Sequence, residues 1–238
     1  MSRANASVTE YPFDTTEALA DALAEVIAHR IGDALSARGR ATLVVSGGRT
    51  PRDTFVRLAG KAVAWRDVTV ALADERWVPT SDPASNETFV RRSLLTGAAA
   101  SAQLVGLYTG DATPEAGERS CAARIEALAR PFDAVLLGMG DDGHTASLFP
   151  GSPGLTEALD PAGSVLCRAI RPPSLPPRMT LTARALLDAR IVFLLFKGVR
   201  KLTAFETALA DGPIEEMPIR AVLRQKRVPV QVYWTPRD

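Results

Sequence analysis

The sequence is poor in the residues that most readily announce a function. It has two cysteines and two histidines in 238 residues, and aromatic side chains make up 6% of the chain. Cys121 and Cys167 are far apart and belong to no Cys-x-x-Cys or His-x-x-His pattern. They therefore read as two buried or half-buried thiols, and a disulfide or a metal site is not expected. Lys+Arg (28) and Asp+Glu (27) nearly cancel, and a net charge of +1 gives no general attraction to nucleic acid or membrane. Any anion must be bound by a local cluster of basic groups. No apolar run approaches the roughly 18 residues of a bilayer span. Met1–Phe13 lacks the apolar stretch of a signal peptide, so the expectation is a cytosolic protein. Aliphatic residues are plentiful: 46% of the chain is hydrophobic, enough for a core built from Leu, Val, Ile and Ala. The length fits one large α/β domain over residues 1–238.

Helical and extended patterns alternate along the chain. Leu19, Leu23, Val26, Ile27, Ile31 and Leu35 recur at helical spacing within Thr15–Arg38, with Asp14 or Thr15 to cap the helix and Gly39 to close it. A short apolar run, Ala41–Val45, then leads into Ser46-Gly-Gly-Arg-Thr-Pro51, where Pro51 suits a first helical turn. Further strands are expected at Val68–Ala73, Leu104–Tyr108, Phe132–Gly138, Val165–Ile170, Met179–Thr182, Ile191–Phe196 and Val228–Trp234. Helices are expected from an Asn86 cap to Leu95, at Pro114–Ala129 and at Val199–Leu209. Several strands are continuously apolar, which indicates a mostly parallel sheet with helices on both faces. The proline-dense stretch Pro172–Pro177 reads as a rigid surface loop. In open α/β sheets ligands bind at the carboxyl ends of strands. The loops after Val45, Ala73, Gly138 and Phe196 are therefore the ones to inspect.

Four motifs fall in or near those loops. In Ser46-Gly47-Gly48-Arg49-Thr50-Pro51, two glycines let backbone amides approach a ligand, two hydroxyls add donors, and a helix N-terminus follows, a combination suited to phosphate. The same residues also make a plain tight turn, and the local pattern does not separate the two readings. The nucleotide pattern Gly-x4-Gly-Lys-Ser/Thr is absent. In Asp74-Glu75-Arg76-Trp77-Val78-Pro79, Arg76 could hold a carboxylate or phosphate in bidentate fashion, and Asp74 could accept from sugar hydroxyls or act as a base. A surface ion-pair cluster is the alternative.

The third motif, Gly138-Met-Gly140-Asp141-Asp142-Gly143-His144-Thr145-Ala146-Ser147-Leu148-Phe149-Pro150-Gly151, begins like a dinucleotide fingerprint. Two adjacent carboxylates would repel a pyrophosphate, and Pro150-Gly151 cuts short any following helix, so that reading fails. What remains is a glycine-rich loop presenting a histidine beside carboxylates. Histidine suits general base work near neutrality, and Asp142 could fix its tautomer. His29 falls within the first helix and reads as a solvated residue. There is no Gly-x-Ser-x-Gly elbow, so attack by water is expected over a covalent route, with Ser147 capping or packing. Last, Arg178–Thr182 reads as an edge of the site. In Lys197-Gly-Val-Arg200-Lys201 the Arg200 side chain reads as a solvated helix start, whereas Lys201 either does the same or reaches an anion.

With these residues in place, the sequence resembles the 6-phosphogluconolactonase family along nearly its whole length. Four blocks carry the likeness: Ser46–Pro51, Asp74–Pro79 with Ser85-Asn86, Gly138–Gly151, and Arg178–Thr182 leading to Lys201. The third block is the specific one. The resemblance implies a Rossmann-like fold shared with the glucosamine-6-phosphate deaminases. It implies hydrolysis of 6-phospho-D-glucono-1,5-lactone in the oxidative pentose phosphate pathway, with no metal and no cofactor. It makes His144 the general base with Asp142 beside it. It makes Ser46, Gly47, Gly48 and Thr50 the phosphate site, helped by Lys201 and Arg178, with Arg76, Asn86 and Gly140 contacting substrate. Arg49 departs from the family pattern, where Ser is common, and adds a charge at that loop. The partner is a small-molecule lactone, bound by a monomer or weak homo-oligomer. Two alternatives stand beside it. One is a deaminase using Asp74 as carbon base and His144 for ring opening, although the Thr-Ala-Ser-Leu-Phe-Pro continuation points to the lactonase branch. The other is a sugar-phosphate-sensing domain without catalysis.

Overall fold

The structure is a computed structural model and describes residues 8–238. The first seven residues of the Met1–Phe13 segment lie outside the described residues. Among the described residues there are ten strands: β1 (Val8–Pro12), β2 (Ala41–Val45), β3 (Val68–Leu72), β4 (Asp74–Arg76), β5 (Gln103–Val105), β6 (Ala134–Gly138), β7 (Cys167–Ile170), β8 (Arg178–Leu181), β9 (Val192–Lys197) and β10 (Val230–Thr235). The helices are α1 (Thr16–Arg38), α2 (Arg52–Ala59), α3 (Asn86–Ser93), α4 (Pro114–Glu126), α5 (Leu155–Leu159), α6 (Ala183–Leu186), α7 (Val199–Leu209) and α8 (Ile219–Leu223). Seven strands form one all-parallel sheet in the order β1-β10-β9-β6-β2-β3-β5. β2 is buried at every position and β9 at all but its last, so both faces of the sheet centre are covered. Such strands need no polar–apolar alternation, which is why their sequences are continuous runs of Val, Leu and Phe.

Local chemistry explains most boundaries. Thr15 caps α1 by accepting from the Ala18 amide (3.1 Å), and Gly39 ends it in the left-handed region at φ 68°. The buried stripe of α1 is Leu19, Leu23, Ile27 and Ile31. The cap of α3 is Ser85 and not Asn86: the Ser85 hydroxyl accepts from Thr88 N, and Asn86 becomes the first helical residue, its side chain free for another role. Both cysteines are buried and free, with Cys121 donating to the Leu107 carbonyl. His29 is 72% exposed beside Asp33 on α1. Among the described residues, no helix is long and apolar enough to cross a membrane.

Two strands depart from the sequence pattern, and the short helices α5, α6 and α8 fall outside the expected elements. β1 is an edge strand, half-exposed and charged, that forms by pairing in register with β10. A second sheet, antiparallel, runs β4-β8-β7. Its first strand is the trio Asp-Glu-Arg, which no hydrophobic periodicity marks as extended.

At the amino ends of the strands, Asp133 ties three elements together. Its carboxylate accepts from Thr42 N (2.8 Å), from Arg38 at the end of α1, and from Arg190 (3.3 Å) ahead of β9. Asp133→Ala leaves a buried amide without its acceptor and should reduce stability by about 2 kcal/mol. That corresponds to a melting temperature lower by roughly 4–8 °C in a chain of this size. A thermal melt unchanged within about a degree would remove Asp133 from this role.

Candidate active site

Strand order reverses between β2 and β6: β3 and β5 build outward from one, β9, β10 and β1 from the other. A crevice opens outside the carboxyl ends of the strands at such a switch point. A cavity of about 410 Å³ lies there, the size of a small-ligand site. Its wall takes Ser46, Gly47, Gly48, Arg49 and Thr50 from the loop after β2, and Gly140 and His144 from the loop after β6. It takes Asp74 and Arg76 from β4, Asn86 from α3, Arg178 from β8 and Lys201 from α7. Asp142 stands behind His144 rather than in the wall, bonded to the ring.

The loop after β2 can lie against α3 only because residue 47 is glycine: a Cβ there would sit 2.2 Å from Asn86 Oδ1. Gly48 follows in the left-handed region at φ 90°. The loop then enters α2, whose N-terminus offers free amides to an anion. Arg49 is exposed at the rim yet lines the cavity. Lys201 faces it from α7; burial lowers its pKa, Arg49 adds to the lowering, and Asp141, Asp238 and Asp142 oppose it.

The small sheet sets Arg76 directly opposite Arg178 in register. Like charges at opposed positions are destabilising. Burial lowers the Arg178 pKa, the Asp74 charge raises it, and the neighbouring Arg76 charge lowers it further. Arg76, Arg178, Arg49 and Lys201 against Asp74 make a strongly cationic lining. Eight buried side-chain polar atoms lack a hydrogen-bond partner among the described residues. Four of them, Ser46 Oγ, Arg76 Nε, Asn86 Oδ1 and Arg178 Nε, belong to residues of this one cavity. Buried polar groups are rarely left unpaired in folded proteins, so this concentration marks a wall built to meet a polar, anionic ligand.

The loop after β6 folds back on itself. Thr145 donates to the Gly138 carbonyl (2.9 Å), Gly140 N to the His144 carbonyl (2.9 Å), and Gly143 N to the Gly140 carbonyl (3.0 Å). Ala146, also in the wall, is held at φ 48°, a left-handed conformation rare outside glycine. The His144 Nδ1 lies 2.6 Å from Asp142 Oδ1, and the same oxygen accepts from His144 N at 3.1 Å. A carboxylate only accepts, so Nδ1 carries the proton and Nε2 keeps the lone pair. Burial raises the Asp142 pKa, but the bond and charge of His144 outweigh it and hold the carboxyl below its ordinary value.

Three further residues shape the site. The Phe149 ring stacks on His144 (centroids 4.1 Å apart, planes 26° apart), and the Arg178 guanidinium lies 5.1 Å from the same ring. Ser147 does not meet His144: its hydroxyl donates to Asp74 Oδ2 at 2.5 Å and its amide to Thr180 (3.2 Å), tying the histidine loop to the small sheet. Glu75 is fully buried beneath the wall. Their neighbours Asp74, Arg76 and His144 stand out in the sequence by type and position, whereas the Ser147 bonds to Asp74 and Thr180 and the approach of Arg178 to Phe149 join residues far apart in the chain.

A histidine with a fixed tautomer, a glycine loop leading into a helix N-terminus and paired arginines at a switch point define the class: an α/β protein with a cationic crevice at its strand ends. The chain matches the family described as glucosamine-6-phosphate isomerases/6-phosphogluconolactonase over residues 14–234, and it belongs to that family. It is 42% identical to a 6-phosphogluconolactonase of Rhizobium meliloti, covering 97% of this chain and all of that one. It is 44% identical to a 6-phosphogluconolactonase of Pseudomonas aeruginosa, over 90% and 89% of the two chains. The crystal structure of a 6-phosphogluconolactonase from Shewanella baltica superposes with a TM-score of 0.93 at 44% identity, covering 96% and 97%.

Proposed function

We propose that this chain hydrolyses 6-phospho-D-glucono-1,5-lactone to 6-phospho-D-gluconate in the oxidative pentose phosphate pathway of the cytosol, as a monomer or weak homo-oligomer. The observation that carries the reading is that the His144–Asp142 pair and the cationic glycine loop share one hexose-sized cavity. In this mechanism His144 Nε2 takes a proton from water as its oxygen attacks the lactone carbonyl carbon. Arg76 stabilises the tetrahedral oxyanion. On collapse the carbon–ring oxygen bond breaks, and the imidazolium returns its proton to the departing oxygen. Asp142 holds the ring and stabilises its charged form. Asp74, one oxygen taken by Ser147, offers the other to a sugar hydroxyl. Ser46, Gly47, Gly48, Arg49, Thr50, Lys201 and Arg178 bind the phosphate, and that remote binding energy orients the carbonyl. One base, one water and fixed donors complete the chemistry without a cofactor.

The test is acid release from freshly generated lactone, measured against spontaneous opening, with ammonia release from glucosamine 6-phosphate in parallel. Lactone turnover without ammonia is expected. A rate equal to the buffer control, or ammonia release, would overturn the reading. Within it, Lys201→Ala should raise KM about tenfold or more while lowering kcat much less, because it removes binding common to ground and transition states. An unchanged KM would take Lys201 out of the phosphate site.

A further inference from the structure

We propose that Glu75 is a positioning residue for this site: its buried carboxylate fixes Arg76 and Asn86 in the cavity wall by holding their backbone amides. The inference rests on the lactonase reading given above. β4 alternates, so Asp74 and Arg76 face the cavity and Glu75 points the other way. There it is 0% exposed. Its two oxygens receive four hydrogen bonds. Oε1 accepts from Arg76 N (2.8 Å) and Asn86 N (2.6 Å), and Oε2 accepts from Ser85 Oγ (3.0 Å) and Glu87 N (2.8 Å). Burial pushes the carboxyl pKa up, and the bonds from Asn86, Glu87, Ser85 and Arg76 pull it back only in part.

Part of this arrangement serves folding, because the Asn86 and Glu87 amides belong to the first turn of α3, but the bond from Arg76 goes beyond it. Ser85 already caps α3, and the residue paired with Glu75 across the sheet is Met179, fully buried. An apolar side chain at position 75 would avoid the desolvation penalty of a carboxylate but would leave the Arg76, Asn86 and Glu87 amides and the Ser85 hydroxyl without their acceptor. What the carboxylate adds is a rigid link between two cavity residues on different elements. Arg76 N and Asn86 N meet on one oxygen. The Asn86 side chain then donates back to the Asp74 carbonyl (2.9 Å), and the Arg76 guanidinium reaches the Ala84 carbonyl (2.5 Å). Strand β4, the Ala84–Glu87 turn and the two side chains thus form one closed unit around Glu75, with Asn86 Oδ1 and Arg76 Nε unpaired in the cavity residues.

The decisive variant is Glu75→Gln. It keeps the shape and one acceptor, but its NH2 group faces donors, so the unit must shift. Displacement of catalytic donors by a fraction of an ångström should lower kcat by about tenfold or more, with the melting temperature still above the assay temperature. Asp133→Ala serves as the control, a buried carboxylate at the opposite ends of the strands: it should lower the melting temperature and leave kcat and KM as in the wild type. A Glu75→Gln enzyme that melts lower but keeps both constants within about twofold would overturn the proposal, since only a structural role behaves so. If Glu75→Gln is recovered unfolded, Glu75→Asp, which keeps the charge but withdraws the carboxylate from the Arg76 and Asn86 amides while leaving the Ser85 cap in place, carries the test: a several-fold loss of kcat supports the role and no loss overturns it. The wild-type lactone assay is read first and judges the lactonase reading by itself. Should that fail, calorimetric binding of 6-phosphogluconate still decides the inference, with several-fold weaker binding to Glu75→Gln expected and equal binding overturning it.

Discussion

Replacing His144 with alanine should lower kcat for lactone hydrolysis by about 10²–10⁴, the range contributed by a positioned general base. KM should stay within a few-fold, because the residues proposed to bind the phosphate lie on other elements. Stability should change little: the His144 side chain is 29% exposed, and its partners are the half-exposed Asp142 and one face of Phe149. The variant therefore separates chemistry from folding. Initial rates must be taken against the spontaneous opening of the lactone, which sets the floor of the measurement. A loss smaller than about tenfold would mean that another group takes the proton from water.

The reach of the sequence follows from what each feature needs to be seen. Strands buried on both faces announce themselves as apolar runs, so β2, β3, β6, β9 and β10 are legible within a residue or two. The switch point follows from their order only once the pairing is known. The glycine loops are legible because their pattern is local: Gly47 and Gly48 sit beside the hydroxyls of Ser46 and Thr50 in sequence as well as in the cavity wall. β1 and β4 are not legible. β1 is an edge that pairing with β10 makes extended, and β4 is three charged residues held by β8, about a hundred residues later. That long-range pairing places Arg178 opposite Arg76, and no spacing rule reveals it. The Leu104–Tyr108 run yields only the short β5, Gln103–Val105, at the other edge of the sheet. Ser147 is a further case. Three residues from His144 it reads as a capping or packing residue, and past the left-handed turn at Ala146 its hydroxyl in fact donates to Asp74, 73 residues away.

The same turn chemistry makes Gly140→Ala the second large effect. Gly140 is buried with no positive φ, so alanine suits its backbone. The obstacle is the side chain itself: a Cβ at this position would stand 2.1 Å from His144 Nδ1, 2.2 Å from Cε1 and 2.5 Å from Asp142 Oδ1. Ordinary contact needs about 3.5 Å, so ring and carboxylate must give way by about an ångström. A displacement of that order can cost about 10² in rate, and kcat should fall accordingly while KM, set by the opposite wall, moves by less than about threefold. If the methyl acts only by displacing the pair, removing the imidazole should abolish its effect. The double variant His144→Ala with Gly140→Ala should then be no slower than His144→Ala alone, because residues acting as one unit are not additive. A kcat within about threefold of wild type for Gly140→Ala would show that the loop yields without moving the base. A double variant slower still would show that Gly140 serves the reaction by a route other than the His144–Asp142 pair.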